Sequence, residues 1–141
     1  MRISLPLAVS LILVAVCVFG GCGKKDWPEP DMDYERFHWV SAGGELRRTC
    51  LVVTGELTGN IDNLDAVYVE LEKGECPGCP FNPERREGYK LPSPMVQRQG
   101  NSVTVNVCGL DASATWRWRL VGANKYEVLG EAESKVYGTA P

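Results

Sequence analysis

Residues 115–124 read TWRWRLVGAN. Trp116, Trp118 and Leu120 take alternate positions with Arg117 and Arg119 between them, a period of two that marks a strand with one dry face and one wet face. On a helix Trp116 and Leu120 would share a face and Trp118 would point to the opposite one. The same device recurs upstream. In LDAVYVELEK, residues 64–73, Val67, Val69 and Leu71 share one face and Tyr68, Glu70 and Glu72 the other. In NSVTVNVCGL, residues 101–110, Val103, Val105 and Val107 alternate with Ser102, Thr104 and Asn106. RTCLVVTGEL (48–57) reads as a further strand, RFHWVS (36–41) as the first, and a segment around Glu133 to Tyr137 as the last. Gly43-Gly44, Gly59-Asn60 and Gly100-Asn101 read as the turns between them. After the first 35 residues no window keeps the i, i+3, i+4 apolar spacing over a helix of useful length, so the expectation is an all-β chain folded as a single β-sandwich over residues 36–141. Burying the Trp, Val and Leu side chains of the alternating faces contributes about 1.5–3 kcal/mol each, which suffices for one core.

The first 22 residues, MRISLPLAVSLILVAVCVFGGC, have a different character. One charge, Arg2, precedes an apolar run from Leu5 to Phe19 that Pro6 and Ser10 interrupt and Gly20-Gly21 end. A helix needs about 20 apolar residues to cross a bilayer core, so this shorter run reads as an export signal. Phe19-Gly20-Gly21-Cys22 resembles the lipobox of bacterial lipoprotein precursors. The resemblance implies that residues 1–21 are removed, that Cys22 is acylated, and that the protein is held to a membrane through that lipid. Each buried methylene adds about 0.8 kcal/mol, so several acyl chains make dissociation negligible. Cys17 follows the bulky Val16 and reads as apolar filler of the signal. Gly23, where retained lipoproteins carry Asp, resembles the outer-membrane class of Gram-negative envelopes and implies a site on that membrane facing the periplasm. Residues 22–35 are polar, contain Pro28 and Pro30, and lack periodicity; they read as a tether reaching up to about 40 Å when extended.

Charge excludes some partners. Removing the signal leaves 14 Lys and Arg against 18 Asp and Glu, a formal charge of −4. There is no basic block of five or more residues, so nucleic acid and anionic lipid headgroups, both of which demand clustered Lys and Arg, are not expected ligands.

Export decides the reading of the remaining cysteines: Cys50, Cys76, Cys79 and Cys108. An even number in an oxidising compartment points to two disulfides, with three connectivities open. Cys76-Pro77-Gly78-Cys79 admits three uses. A redox pair wants its first cysteine at a helix N-terminus, and here Pro80 and Asn82-Pro83 follow at once. A zinc site wants two close pairs of ligands, whereas Cys50 and Cys108 stand alone and His38 is the only histidine. Haem attachment wants His where Pro80 stands. The expectation is a staple on the loop from Gly74 to Pro94, which carries Pro77, Pro80, Pro83, Pro92 and Pro94; exchange of Cys76 or Cys79 with Cys50 or Cys108 stays open.

The C-terminal third adds a second resemblance. VCGLDASATWRWRLVGAN followed by ESKVY is similar to the end of a fibronectin type III domain, an immunoglobulin-like sandwich. There an aromatic-x-aromatic-x-aliphatic strand ends in Ala-x-Asn, with a Leu upstream and a Ser in the final strand; Leu110, Trp116, Trp118, Leu120, Asn124 and Ser134 take those places. The resemblance implies that TWRWRL lies beside LDAVYVELE, so that Arg117 and Arg119 pair across strands with Glu70 and Glu72. It also implies that Cys50 and Cys108 lie on neighbouring strands and form the second disulfide, on the outer face.

With a single histidine and no phosphate loop, the chain offers no expected catalytic residue, metal site or cofactor. The functional expectation is a non-catalytic envelope protein that binds another envelope protein or acts as a scaffold, with Phe81, Tyr89 and Met95 of the Pro-rich segment as a possible contact surface. The alternative is a thiol-disulfide or thiol-handling protein using Cys76 and Cys79.

Overall fold

A computed structural model of the chain describes residues 32–139, which form two antiparallel sheets packed face to face. The signal, Cys17, Cys22 and the tether up to Asp31 lie outside the described residues. In chain order the strands are β1 (Phe37–Arg47), β2 (Cys50–Gly59), β3 (Leu64–Lys73), β4 (Arg85–Lys90), β5 (Val96–Gln99), β6 (Ser102–Cys108), β7 (Trp116–Asn124), β8 (Glu131–Glu133) and β9 (Tyr137–Gly138). One sheet runs β1-β2-β6-β5; the other runs β4-β3-β7-β8, with β9 also on β7. This is the spatial order of the ABED and C′CFG sheets of immunoglobulin-like sandwiches.

The alternating apolar sets supply the core. Leu51, Val53, Val67, Val69, Leu71, Val103, Val105, Trp118 and Leu120 are all fully buried. Trp118 is the largest of them, and its ring stacks on Tyr137 with centroids 4.9 Å apart. Trp39 closes one side of the sandwich: its indole Nε1 donates to Ala132 O at 2.9 Å, tying β1 to β8 across the two sheets. A bulge between Trp39 and Ser41 pushes Val40 out to 63 % exposure and keeps Ala42 on the inner side.

Gly43-Gly44 is not a turn. Both residues lie within β1, whose hairpin to β2 is made by Arg48 and Thr49, with Arg48 at φ 58°. The reason is steric. A Cβ on Gly44 would stand 2.6 Å from Trp118 Cζ2, so the indole occupies the room a side chain would need. The segment from Gly74 to Pro94 is also more ordered than a stapled loop, because β4 forms within it and β5 follows soon after. Gly88 had masked β4. Its missing side chain is replaced by the Tyr68 ring of β3, which a Cβ there would strike.

The last strand is split in two. Between β8 and β9, Ser134 keeps the connection to β7: Leu120 N donates to its Oγ at 2.9 Å, and Ser134 N donates to Leu120 O at 2.8 Å. Asp33–Glu35, at the end of the expected tether, forms a 3₁₀ turn clasped to the domain. Asn60 Nδ2 and Asn63 Nδ2 donate to the Glu35 carboxylate at 2.9 and 2.7 Å.

Two neighbouring glycines therefore separate sharply. Gly44→Ala is predicted to lower unfolding stability by about 1–3 kcal/mol in urea titration, because the indole or the strand must move. Gly43→Ala, with nothing within 4 Å of the new methyl, is expected to change it by less than about 0.5 kcal/mol. Equal effects would remove Trp118 as the cause.

Candidate functional site

Chemistry-bearing side chains converge on the outer face of the β4-β3-β7-β8 sheet. Register places Glu70 opposite Arg119 and Glu72 opposite Arg117, and both cross-strand pairs form as the sequence implied. Arg119 Nε donates to Glu70 Oε2 at 2.6 Å. Arg117 Nη1 lies 3.0 Å from Glu72 Oε2, a charge contact without hydrogen-bond alignment. The Glu70 carboxylate is shared: its Oε1 accepts from Arg86 Nη1 at 2.9 Å. Arg86 in turn donates to Glu131 at 2.6 Å, and Arg119 donates to Glu133. The result is an unbroken chain of alternating sign, Glu131-Arg86-Glu70-Arg119-Glu133, running across four strands.

Aromatic rings cap this chain. The Arg86 guanidinium lies 4.1 Å from the centroid of Tyr68. Phe81 sits over the other two arginines, 5.7 Å from Arg117 and 5.3 Å from Arg119. Arg117 Nη2 also donates to Cys79 O at 2.8 Å. The stapled segment is thus folded down onto the arginine ladder.

Cys76 and Cys79 are disulfide-bonded across a tight turn in which Cys79 N donates to Cys76 O at 3.1 Å. No helix starts there. The chain runs on without regular structure until Glu84 N bonds to Leu71 O and β4 begins, so the dipole that activates a redox thiol has no source at Cys76. Cys50 and Cys108 face each other on β2 and β6 and form the second disulfide, with Cys108 exposed. Among the described residues no group of three or more His, Cys, Asp or Glu side chains is placed to hold a metal ion. His38 is exposed on β1.

Phe81, Tyr89 and Met95 do not form one patch. Phe81 lies on the outer face of the sheet. Tyr89 pairs with Val67 and points to the inner side, where its Oη donates to Asn106 O at 3.3 Å. Partial burial, and then the nearby Glu87 carboxylate, push the Tyr89 phenol above its ordinary range. Met95, 36 % exposed, lies at the entrance to β5. An open groove of about 380 Å³ adjoins the staple, lined by Glu75, Cys76, Pro77, Trp116, Tyr137 and Thr139 among others.

Sequence reasoning missed Arg86, Glu131 and Glu133. The signal was present in RREGYK, where Arg86 and Gly88 alternate with Arg85, Glu87 and Tyr89, but the glycine and the flanking prolines hid it. No family model matches the chain, and the search of curated proteins returns no match.

At the same end as the staple, the Ser113 hydroxyl and the Lys73 ammonium donate to Asp111 and hold its carboxyl down at about 2. The ionised form is the one stabilised. Its contribution is complete above the ordinary carboxylate range and is lost as pH falls toward 2. A ¹³C carboxyl titration is expected to place the Asp111 midpoint near 2, moving upward in Ser113→Ala; a midpoint near 4 in the native protein would refute the contacts.

The Glu70 side chain is only 6 % exposed and answers two arginines. Glu70→Gln is predicted to cost about 1–3 kcal/mol in urea unfolding, since it removes the buried carboxylate that Arg86 and Arg119 share and leaves each guanidinium only its outer partner, Glu131 or Glu133. Glu45→Gln, which breaks the exposed pair with Arg47, is expected to cost less than about 1 kcal/mol.

Proposed function

We propose that the chain is a lipid-anchored envelope protein whose sandwich serves protein interaction or scaffolding and carries no chemistry of its own. The observation that carries this reading is the sequence Phe19-Gly20-Gly21-Cys22 followed by a domain in which all four remaining cysteines are joined in two disulfides. The first feature fits lipid attachment at Cys22, and the second fits an oxidising compartment beyond the cytoplasmic membrane. Gly23 supports a place on an outer membrane, facing the periplasm.

The finer reading is a fibronectin type III-like domain. Its support is the strand order, together with burial of Leu110, Trp116, Trp118 and Leu120 at the positions the resemblance names. Ser134 takes its place beside β7, where it bonds both backbone groups of Leu120. The contact surface that the geometry favours is the stapled loop with Phe81 and the adjoining groove. A loop already fixed by a disulfide, by Arg117 and by a ring contact loses little freedom when a partner binds.

The anchor is tested first. Full-length protein expressed in a Gram-negative host is expected to pellet with membranes and to carry lipid on its N-terminal residue. Cys22→Ser is expected to stay as the uncleaved, unlipidated precursor. Wild-type protein that matures without lipid would overturn the proposal.

A further inference from the structure

The end of the sandwich away from the staple presents three large apolar side chains that the fold leaves uncovered. Tyr34 is 72 % exposed, Tyr126 56 % and Val128 73 %. None of them stands on a slack loop. Tyr34 lies in the Asp33–Glu35 turn. Tyr126 caps the Glu127–Leu129 turn, and Val128 lies within it; this turn is closed by Leu129 N on Tyr126 O at 2.9 Å and Gly130 N on Glu127 O at 3.0 Å. Leu129, 5 % exposed, plugs the turn into the core and so holds its neighbours outward.

Asn63 joins the two turns into one end face. Its Nδ2 donates to Glu35 O at 2.8 Å, and its own carbonyl accepts from Lys125 N at 2.8 Å. Lys125 Nζ adds a bond to Asp62 O. Three separate stretches of chain are thereby fixed together, and the exposed apolar groups ride on them.

This is also the end at which the chain enters the domain. Met32 directly precedes the Asp33–Glu35 turn, and nine residues of sequence, 23–31, lie between it and Cys22. That stretch spans at most about 36 Å, so a lipid on Cys22 holds this end of the domain within that reach of the bilayer. We propose that the Tyr34, Tyr126 and Val128 face rests on the bilayer to which Cys22 is anchored, with the tyrosines at headgroup level. The proposal rests on the lipid-anchor reading above.

The chemistry of the face suits that occupant. Tyrosine has an apolar ring and a polar tip and concentrates at membrane interfaces. The surrounding charges, Asp33, Arg36, Asp62, Lys125 and Glu127, are mixed in sign, so the contact is apolar and only weakly dependent on salt. Three side chains are too few to recruit a free protein to a membrane. With the domain already tethered, a high effective concentration lets so small a contact persist.

The test uses the mature lipidated protein in vesicles of phosphatidylethanolamine and phosphatidylglycerol, with an environment-sensitive dye on Val128→Cys or, at the far end, on exposed Ala112→Cys. Vesicle flotation is measured alongside the dye. The expected result is co-flotation of both, with a blue shift and quenching by bilayer nitroxides only for the dye at 128. Adding Tyr34→Ser and Tyr126→Ser is expected to abolish that shift and leave flotation unchanged. Co-flotation with the dye at 128 still in water overturns the docking and spares the anchor. Failure of lipidated protein to float overturns the anchor reading itself. A shift found in native membranes and missing from pure lipid assigns the face to a protein and also overturns the proposal.

Discussion

The sandwich depends on one steric exchange: the indole of Trp118 takes the space that a side chain on Gly44 would fill. A Trp on the inner face of a sheet is too bulky to meet a second bulky residue across the roughly 10 Å between packed sheets. β1 supplies the answer with a glycine inside a strand, a position that otherwise weakens a strand. Gly55 and Gly122 repeat the pattern. A Cβ at Gly55 would meet Trp39 and Leu120, and one at Gly122 would meet Phe37, each closer than 3 Å. Large rings and bare backbone are thus matched across the interior. The Trp118 indole N–H is buried without a hydrogen-bond partner among the described residues, so this Trp serves as volume rather than as a polar handle.

The two faces of the second sheet do different work. Inside, Val69 and Leu120 are fully dry. Outside, Glu70 and Arg119 belong to the same strands one residue away and are joined into a chain of alternating charge. Such pairs contribute modestly one at a time, but a shared carboxylate fixes strand register, because a slip by one residue would bring the charges inward. The stapled segment depends on this face. Arg117 holds the backbone of Cys79 and flanks Phe81, so the loop borrows its order from the sheet beneath it.

Much of the fold was legible because period-two alternation follows directly from strand geometry. Residues 64–73, 101–110 and 115–124 all carried it, and the Glu70–Arg119 and Glu72–Arg117 pairings came with the expected topology. What stayed hidden were strands whose glycines answer to a distant ring. Gly43-Gly44 reads as a turn in any local window, and only the position of Trp118 makes it a strand. Gly88 is hidden in the same way by Tyr68. The separate placement of Phe81, Tyr89 and Met95 was hidden for a related reason: nearness in sequence says nothing about which side of a sheet a residue faces. The end face of Tyr34, Tyr126 and Val128 was equally unreadable, since side-chain bonds from Asn63 assemble it from segments far apart in the chain.

The Cys50–Cys108 bridge, spanning a sequence separation of 58, gives the domain a mechanical property. It joins two hydrogen-bonded neighbours, β2 and β6, and everything between them, including β3, β4 and β5, lies inside the covalent loop. A pull applied between the two ends of the domain passes through the bridge and bypasses that loop. Force can strip β1 from one side and β7 to β9 from the other, but it cannot lengthen the enclosed segment, which withholds on the order of 200 Å of contour. The domain therefore has a built-in stop to extension and stays short for its chain length as long as the bridge remains oxidised.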